Sequence, residues 1–320
     1  MARESTNPWS THGPIGARNP TVHRLAVYDR PSVSCRCITI TALSVNSDTH
    51  YAALELRPLS THDERAACVR LQERIWGPGF HERVPPTILQ LSGELGGIAD
   101  GAFDADGNLL GFVFGITGVI DGRLVHWSDM LGVDPAARDR GIGLALKWHQ
   151  RDAMLARGIT EIRWTFDPLQ AKNAWLNLTR LGAVAHTYAR DYYAPTGSPL
   201  HPDGTDRLIV TWDIASERVA RRAAGELPSD VPDVLPLNRV YMTKHGPACE
   251  APPAPSGSRI SIAIPSRIDE IRRSNPALAR DWRAKTRCAL EACFAAAYEV
   301  GAFVRGANHG TYSMERRSQP

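Results

Sequence analysis

LGVDPAARDRGIGLALK, residues 131–147, starts as a hydrophobic strand and ends as a helix, and the corner between them decides the fold. Pro135, Arg138, Arg140, Gly141 and Gly143 fill that corner. A helix that begins there presents N–H groups without partners and the positive end of its dipole. Glycines keep side chains out of an anion's way and arginines add charge, so the corner reads as a diphosphate cradle. Spacing argues against two familiar phosphate loops. The dinucleotide fingerprint needs glycines directly after the strand and a third glycine for close helix packing. Here seven residues, 134–140, separate Val133 from Gly141, and Leu146 takes the third place. Asp167, after the next strand, would suit a ribose contact in that reading. A P-loop lacks its Gly-Lys-Ser/Thr.

Working outward, 124–133 reads as the strand and 142–157 as the helix, with Ile142, Ala145, Leu146, Ala153 and Ala156 at helical spacing and Gly158 closing it. Ile162, Trp164 and Phe166 alternate along a strand at 160–166. A helix at 170–181 ends at Gly182, and strand-like 183–193, a Pro/Gly loop and 206–213 follow. Upstream, a strand at 53–59 leads to Thr61 and Glu64, a capping box for a helix through Ile75. Strands at 98–103 and 110–116 make a hairpin around DADGN, with Leu110, Phe112, Phe114 and Ile116 on one face. That turn is not a calcium loop, because Leu109 and Gly115 stand where glycine and glutamate belong.

The order of elements predicts a mixed α/β domain over 51–214. Residues 1–50, rich in Ser, Thr, Pro, Asn and Arg, read as a disordered leader or an over-extended start. A Pro-rich connector at 215–258 leads to a smaller α/β unit at 259–320. In it, strands are expected at 261–264, 300–305 and 311–315. Asn275 caps a helix with Pro276 at its first position and Leu278, Trp282, Ala289, Cys293 and Phe294 on its apolar side.

A chain of 320 residues, 43% hydrophobic, buries a sizeable core. A net charge of +3, mostly dispersed, argues against a nucleic-acid partner. Six cysteines without a CxxC pair argue against structural zinc, and no metal is expected. Cys288 and Cys293 fall in a helical pattern and read as buried thiols of a reduced, cytoplasmic protein. No apolar run reaches membrane-spanning length, and no membrane partner is expected.

The corner resembles motif A of the GNAT superfamily, the acyl-CoA-dependent N-acyltransferases. The family's arginine or glutamine, two residues, glycine, one residue, then glycine or alanine is met by Arg138, Gly141 and Gly143. Leu131-Gly132-Val133-Asp134-Pro135 looks like the family's fourth strand and its exit. NAWLNLTRLG, from Asn173 to Gly182, is similar to the helix that closes the site, and the whole resemblance covers 54–213. It implies a central mixed sheet whose fourth and fifth strands splay apart, flanked by helices. Acetyl-CoA or another acyl-CoA would then be the co-substrate and a small amine the acceptor. Val133 would pair with the pantetheine arm, the Leu131 N–H would face the thioester carbonyl with Gly132 between them, and Arg138, Asp139, Arg140, Gly141, Ile142, Gly143 and Leu144 would hold the diphosphate. Asn173 would bond near the sulfur.

The chemistry needs a neutral amine and a proton for the departing thiolate. Asp129, a carboxylate in an apolar strand, is the first candidate base, and His126 is the alternative. The family's tyrosine acid would fall at Leu178, so the match fails there. Asn177, Tyr188, Tyr192, Tyr193 or solvent are the substitutes. The whole sequence, including the Trp282 helix and the aromatic tail strand, resembles a GNAT subgroup with an appended C-terminal region, some of whose members are associated with N-succinylation of amino acids; this implies an amino-acid-like amine and acetyl or succinyl as the acyl group. Its acceptor pocket would be built from 76–91 and 188–203. A homodimer is allowed for, and a non-catalytic acyl-CoA sensor is the other function the scaffold permits.

Overall fold

The computed structural model describes residues 38–40, 54–194, 204–229, 231 and 234–317, all within one unit, 37–320. Apart from Ile38–Ile40, the leader expected at 1–50 lies outside the described residues, as do Cys35 and Cys37. Strand β1 (Ile38–Ile40) pairs antiparallel with β2 (Leu54–Pro58). Helix α1 (His62–Trp76) opens on the expected capping box: Thr61 Oγ1 accepts from Glu64 N at 3.1 Å, and Glu64 Oε2 accepts from Thr61 N at 3.0 Å. Helix α2 (Pro86–Glu94) starts on a proline, whose missing N–H is harmless in a first turn.

Strands β3 (Ile98–Phe103), β4 (Leu109–Ile120) and β5 (Arg123–Val133) form an antiparallel meander. DADGN is a turn closed by its own aspartate, since Asp104 Oδ1 accepts from Asn108 N at 2.8 Å and Asp106 N at 3.1 Å. The single-face alternation expected for β4 holds only in part. A register shift opposite Ala102 and Phe103 sends Leu110 to the larger core, while Phe112 and Phe114 pack with α1 and α2. Ile116 is 50% exposed because β4 beyond Gly115 pairs with β5 alone.

Helix α3 (Ile142–Leu155) leads to β6 (Glu161–Phe166), which buries Ile162, Trp164 and Phe166. The next helix is not the regular one expected at 170–181. After α4 (Ala171–Ala174) the chain widens into a π-helical turn, Trp175–Arg180, in which Leu181 N donates to Leu176 O at 2.9 Å. The extra residue per turn buries Asn177, Leu178 and Thr179 in succession, and Gly182 at φ +79° ends it. Strands β7 (Val184–Ala189) and β8 (Arg207–Asp213) complete this half.

The connector region 215–258 holds three elements that its Pro-rich composition hid: α5 (Glu217–Ala223), β9 (Val240–Thr243) and β10 (Gly246–Cys249). Beyond it come β11 (Arg259–Pro265), α6 (Ile268–Ser274), α7 (Pro276–Ala295), β12 (Tyr298–Val304) and β13 (His309–Arg316). Asn275 caps α7 as expected, accepting from Leu278 N at 3.1 Å. Cys293 is buried, but Cys288 lies off the buried stripe of α7 and is exposed.

The segment expected as a small unit of its own adds its strands to the same sheet. The strand order is β1-β2-β3-β4-β5-β6-β8-β7-β12-β13-β11, with β12 joined to β7 at Val300 and Ala185. One hydrophobic core runs from Leu56 through Trp164 and Trp212 to Trp282 and Tyr312. The appended strands also grip the stretch after β6. Tyr312 Oη donates to Pro168 O at 2.7 Å, Thr179 Oγ1 donates to Phe303 O at 2.7 Å, and Arg283 pairs with Asp167 at 2.7 Å.

Candidate active site

The only two strands paired parallel among the described residues are β5 and β6, and the pairing lasts two couples: His126 opposite Ile162 and Trp127 opposite Arg163. Beyond them the strands part. On its other side β5 stays paired with β4, and Asp134 N donates to Leu110 O at 2.8 Å. A Cβ added at Gly111 of β4 would lie 3.0 Å from Gly132 O, so Gly132 also faces β4. Backbone groups alternate along a strand. The amides and carbonyls of Leu131 and Val133 therefore point into the gap.

At the mouth of the gap stands the corner. Asp134 Oδ1 accepts from Ala136 N at 3.0 Å, tightening a 3₁₀ turn at Pro135–Ala137, and Asp134 Oδ2 accepts from Arg74 Nε at 3.1 Å. Asp139 and Gly141 both adopt left-handed backbone, φ +63° and +75°. Gly141 is the α3 N-cap and offers no side chain, and the first helical bond runs from Ala145 N to Gly141 O. Ile142, Gly143 and Leu144 are thus left with N–H groups free for an anion. A Cβ at Gly143 would only touch Leu131 and Val133, at 3.6 and 3.8 Å, so the core does not demand glycine there. Arg138 and Arg140 are exposed and hydrogen-bonded to no described residue. Asp139 is held by Lys172 Nζ at 2.5 Å, and Asn173 beside it is exposed.

Asp129 is the extra residue of a bulge, where β4 passes from Phe114, opposite Met130, to Gly115, opposite Ser128. Its side chain reaches solvent, yet the protein around it removes enough water to raise its pKa, with Glu82 adding repulsion. Tyr192, 40% exposed, lies within electrostatic range of Asp129, stacks edge-on to Tyr193 at 4.8 Å, and has a raised pKa from burial first. Glu82 and Tyr192 belong to the two segments expected to line the acceptor pocket. Residues 195–203 of the second lie outside the described residues.

His126 is not in this group. It is fully buried on the α3 side, where Gln150 Nε2 lies 3.0 Å from Nε2 and Thr117 Oγ1 lies 3.1 Å from Nδ1. Burial first, and the positive charge of Lys147 next, push its pKa down to about 3. Asn177 is buried in the π-helical turn, its carbonyl accepting from Ala183 N, and Leu178 is fully buried. Tyr188 donates to Asp206 at 2.5 Å; burial and that carboxylate drive its pKa up, which ill suits a proton donor. Asp167, the residue a dinucleotide reading needed, is committed to Arg283.

Sequence reasoning missed a buried lysine. Lys147 Nζ donates to Ser128 Oγ at 3.0 Å and to Gln150 Oε1 at 2.8 Å and lies over the Trp164 ring; burial lowers its pKa to about 7. The signal was present: Gly143, Lys147, Gln150 and Met154 form a stripe at spacings of four and three, next to the apolar one. Among the described residues no cluster of potential metal ligands occurs, and no helix is long and apolar enough to cross a membrane.

A mixed sheet whose parallel pair opens into a V, with an uncapped helix start at its mouth, matches what the sequence resemblance implied. The fold is a mixed α/β sheet flanked by helices. No protein-family model matches the chain, and no curated protein matches it. Among solved structures, the chain is similar to the ribosomal-protein-S18-alanine N-acetyltransferase of Escherichia coli at 20% identity, over 51% of this chain and 97% of that one, with a TM-score of 0.40. A putative acetyltransferase of the GNAT family from Desulfovibrio desulfuricans matches at 16% identity over 51% of this chain and all (100%) of its own, TM-score 0.40. A putative acetyltransferase from Salmonella typhimurium, with its cofactor acetyl-CoA, matches at 16% identity over 52% and 96%, TM-score 0.40. At that level the likenesses carry no weight for the reaction.

Proposed function

We propose that the chain is an acyl-CoA-dependent N-acyltransferase, which passes an acetyl or succinyl group to the primary amine of a small, amino-acid-like acceptor by direct attack in a ternary complex. The observation that carries this reading is the V itself: Leu131 and Val133 aim their main-chain groups into a gap whose open end is lined by the N–H groups of the α3 start and by two arginines hydrogen-bonded to no described residue. A linear substrate with a diphosphate at one end and amides along its arm fits that arrangement. Val133 pairs with the arm as a strand would, Arg138 to Leu144 hold the diphosphate, and the Leu131 N–H stabilises the oxyanion formed when the amine attacks.

Asp129 takes the proton from the incoming ammonium, directly or through water; its raised pKa and its place beside Glu82 and Tyr192 support that role. Solvent protonates the thiolate, a group acidic enough to need little help. The runner-up, a non-catalytic acyl-CoA sensor, draws on one observation: Leu178, at the usual position of the acid, is fully buried.

Mass spectrometry of the acyl-CoA that copurifies, followed by turnover with and without a panel of amines, tests both. Amine-dependent release of free CoA supports the enzyme, tight binding without turnover supports the sensor, and no bound thioester sinks both. Arg138→Ala is expected to weaken CoA binding with the fold intact.

A further inference from the structure

A hollow lies where the appended C-terminal segment comes nearest to the corner. Its volume is about 280 Å³; the stretch 169–172 forms one wall, and 266–270 with Arg273 the other. Lys172 belongs to both places, since it lines the cavity and its ammonium holds Asp139 of the corner at 2.5 Å. The cavity and the uncapped start of α3 are therefore neighbours across one lysine. Whole drug-sized ligands occupy roughly 300–1,000 Å³. This space suits one end of a long ligand.

Its chemistry is set mainly by charge, since Leu169 and Ile268 in its wall are almost fully buried. The two carboxylates in the wall are already engaged: Asp269 accepts from Arg272 and from Gln170 Nε2 at 3.4 Å, and Glu270 accepts from Arg267 at 3.3 Å. Arg273 is exposed and makes no hydrogen bond or ion pair with a described residue. With Arg138 and Arg140 at the adjoining corner, cations outnumber carboxylates along the path from the α3 N-terminus into the cavity.

We infer that this cavity receives the 3′-phosphorylated nucleoside end of the acyl-CoA substrate, with Arg273, Arg267 and Lys172 around the ribose phosphate. The inference rests on the acyl-CoA reading of the corner. In that ligand the nucleoside hangs directly from the diphosphate, so its site must adjoin the start of α3, as this cavity does. The C-terminal segment then completes the co-substrate site, and a guanidinium suits a terminal phosphate through paired N–H donors.

Calorimetric titration of the full chain with CoA and with 3′-dephospho-CoA tests this, comparing wild type with Arg273→Ala and Arg267→Ala. Wild type is expected to prefer CoA by about tenfold or more, and Arg273→Ala to lose most of that preference while binding 3′-dephospho-CoA as before. Both side chains are exposed, and thermal denaturation of each variant checks that the fold is unchanged. Equal affinity of wild type for the two ligands, or a preference untouched in both variants, overturns the inference and leaves the corner reading standing. Failure of wild type to bind either ligand overturns both.

Discussion

Lys147 Nζ lies 3.8 Å from the centroid of the Trp164 ring, directly under the point where β5 and β6 part. Ser128, which accepts from the same ammonium, follows the last paired residue of β5, and Trp164 follows the last paired residue of β6. One buried side chain thus touches, on each strand, the first residue past the β5–β6 pairing. The gap proposed to admit the thioester has this contact at its apex.

Burial holds Lys147 at about 7 and His126 at about 3, both below their unfolded values. In each case the unfolded chain binds more protons between the two values, so stability rises with pH there. Stability is expected to climb from pH 3 to 6.5 through His126 and again from pH 7 to 10.5 through Lys147. Urea denaturation from pH 5 to 10 checks this, and Lys147→Met should remove the upper rise. A flat profile above pH 7 in wild type would contradict the buried placement of the amine.

Gly141 and Gly143 should fail in different ways. Gly141→Ala places a side chain at φ +75° and is expected to cost about 1–2 kcal/mol of stability, read by thermal unfolding. Gly143→Ala meets ordinary contacts and should leave the melting temperature nearly unchanged, while its methyl weakens CoA binding at the helix start. A Gly143→Ala protein that binds CoA normally argues against anion binding there.

With Asp129 as base, the acidic limb of the rate profile follows its carboxyl, which burial and Glu82 hold above the ordinary range. Activity is lost as pH falls through that value. Glu82→Gln should move the limb to lower pH, and Asp129→Asn should lower turnover and flatten it. A limb that stays put in Glu82→Gln would separate the two carboxylates.

Arg283 and Asp167 form a nearly buried pair that ties α7 to the end of β6. Asp167→Asn leaves the guanidinium without its counter-charge and is expected to destabilise by about 3–5 kcal/mol. Proteolysis of that variant should cut first in the C-terminal segment. Unchanged protection would mean that the apolar core alone holds the segment down.

The sequence by itself determined the corner, the capped helices and the order of the elements from β2 to β8. Those signals are local: Thr61 with Glu64, Asn275 with Pro276, and Gly141 ahead of an apolar stripe act within a turn of the chain. Tertiary structure decided what depends on distant partners. The widening at Trp175–Arg180 goes with the anchoring of Thr179 to Phe303, 124 residues away, which no helical spacing announces. His126 looked like a base until packing enclosed it, and Asp129 gained Glu82 and Tyr192 only when loops from opposite ends of the domain met. The C-terminal strands read as a separate unit because strand pairing with β7 leaves no mark in either segment. Short-range chemistry is written in neighbouring residues, whereas burial, charge pairing and sheet continuation arise only once the chain has closed on itself.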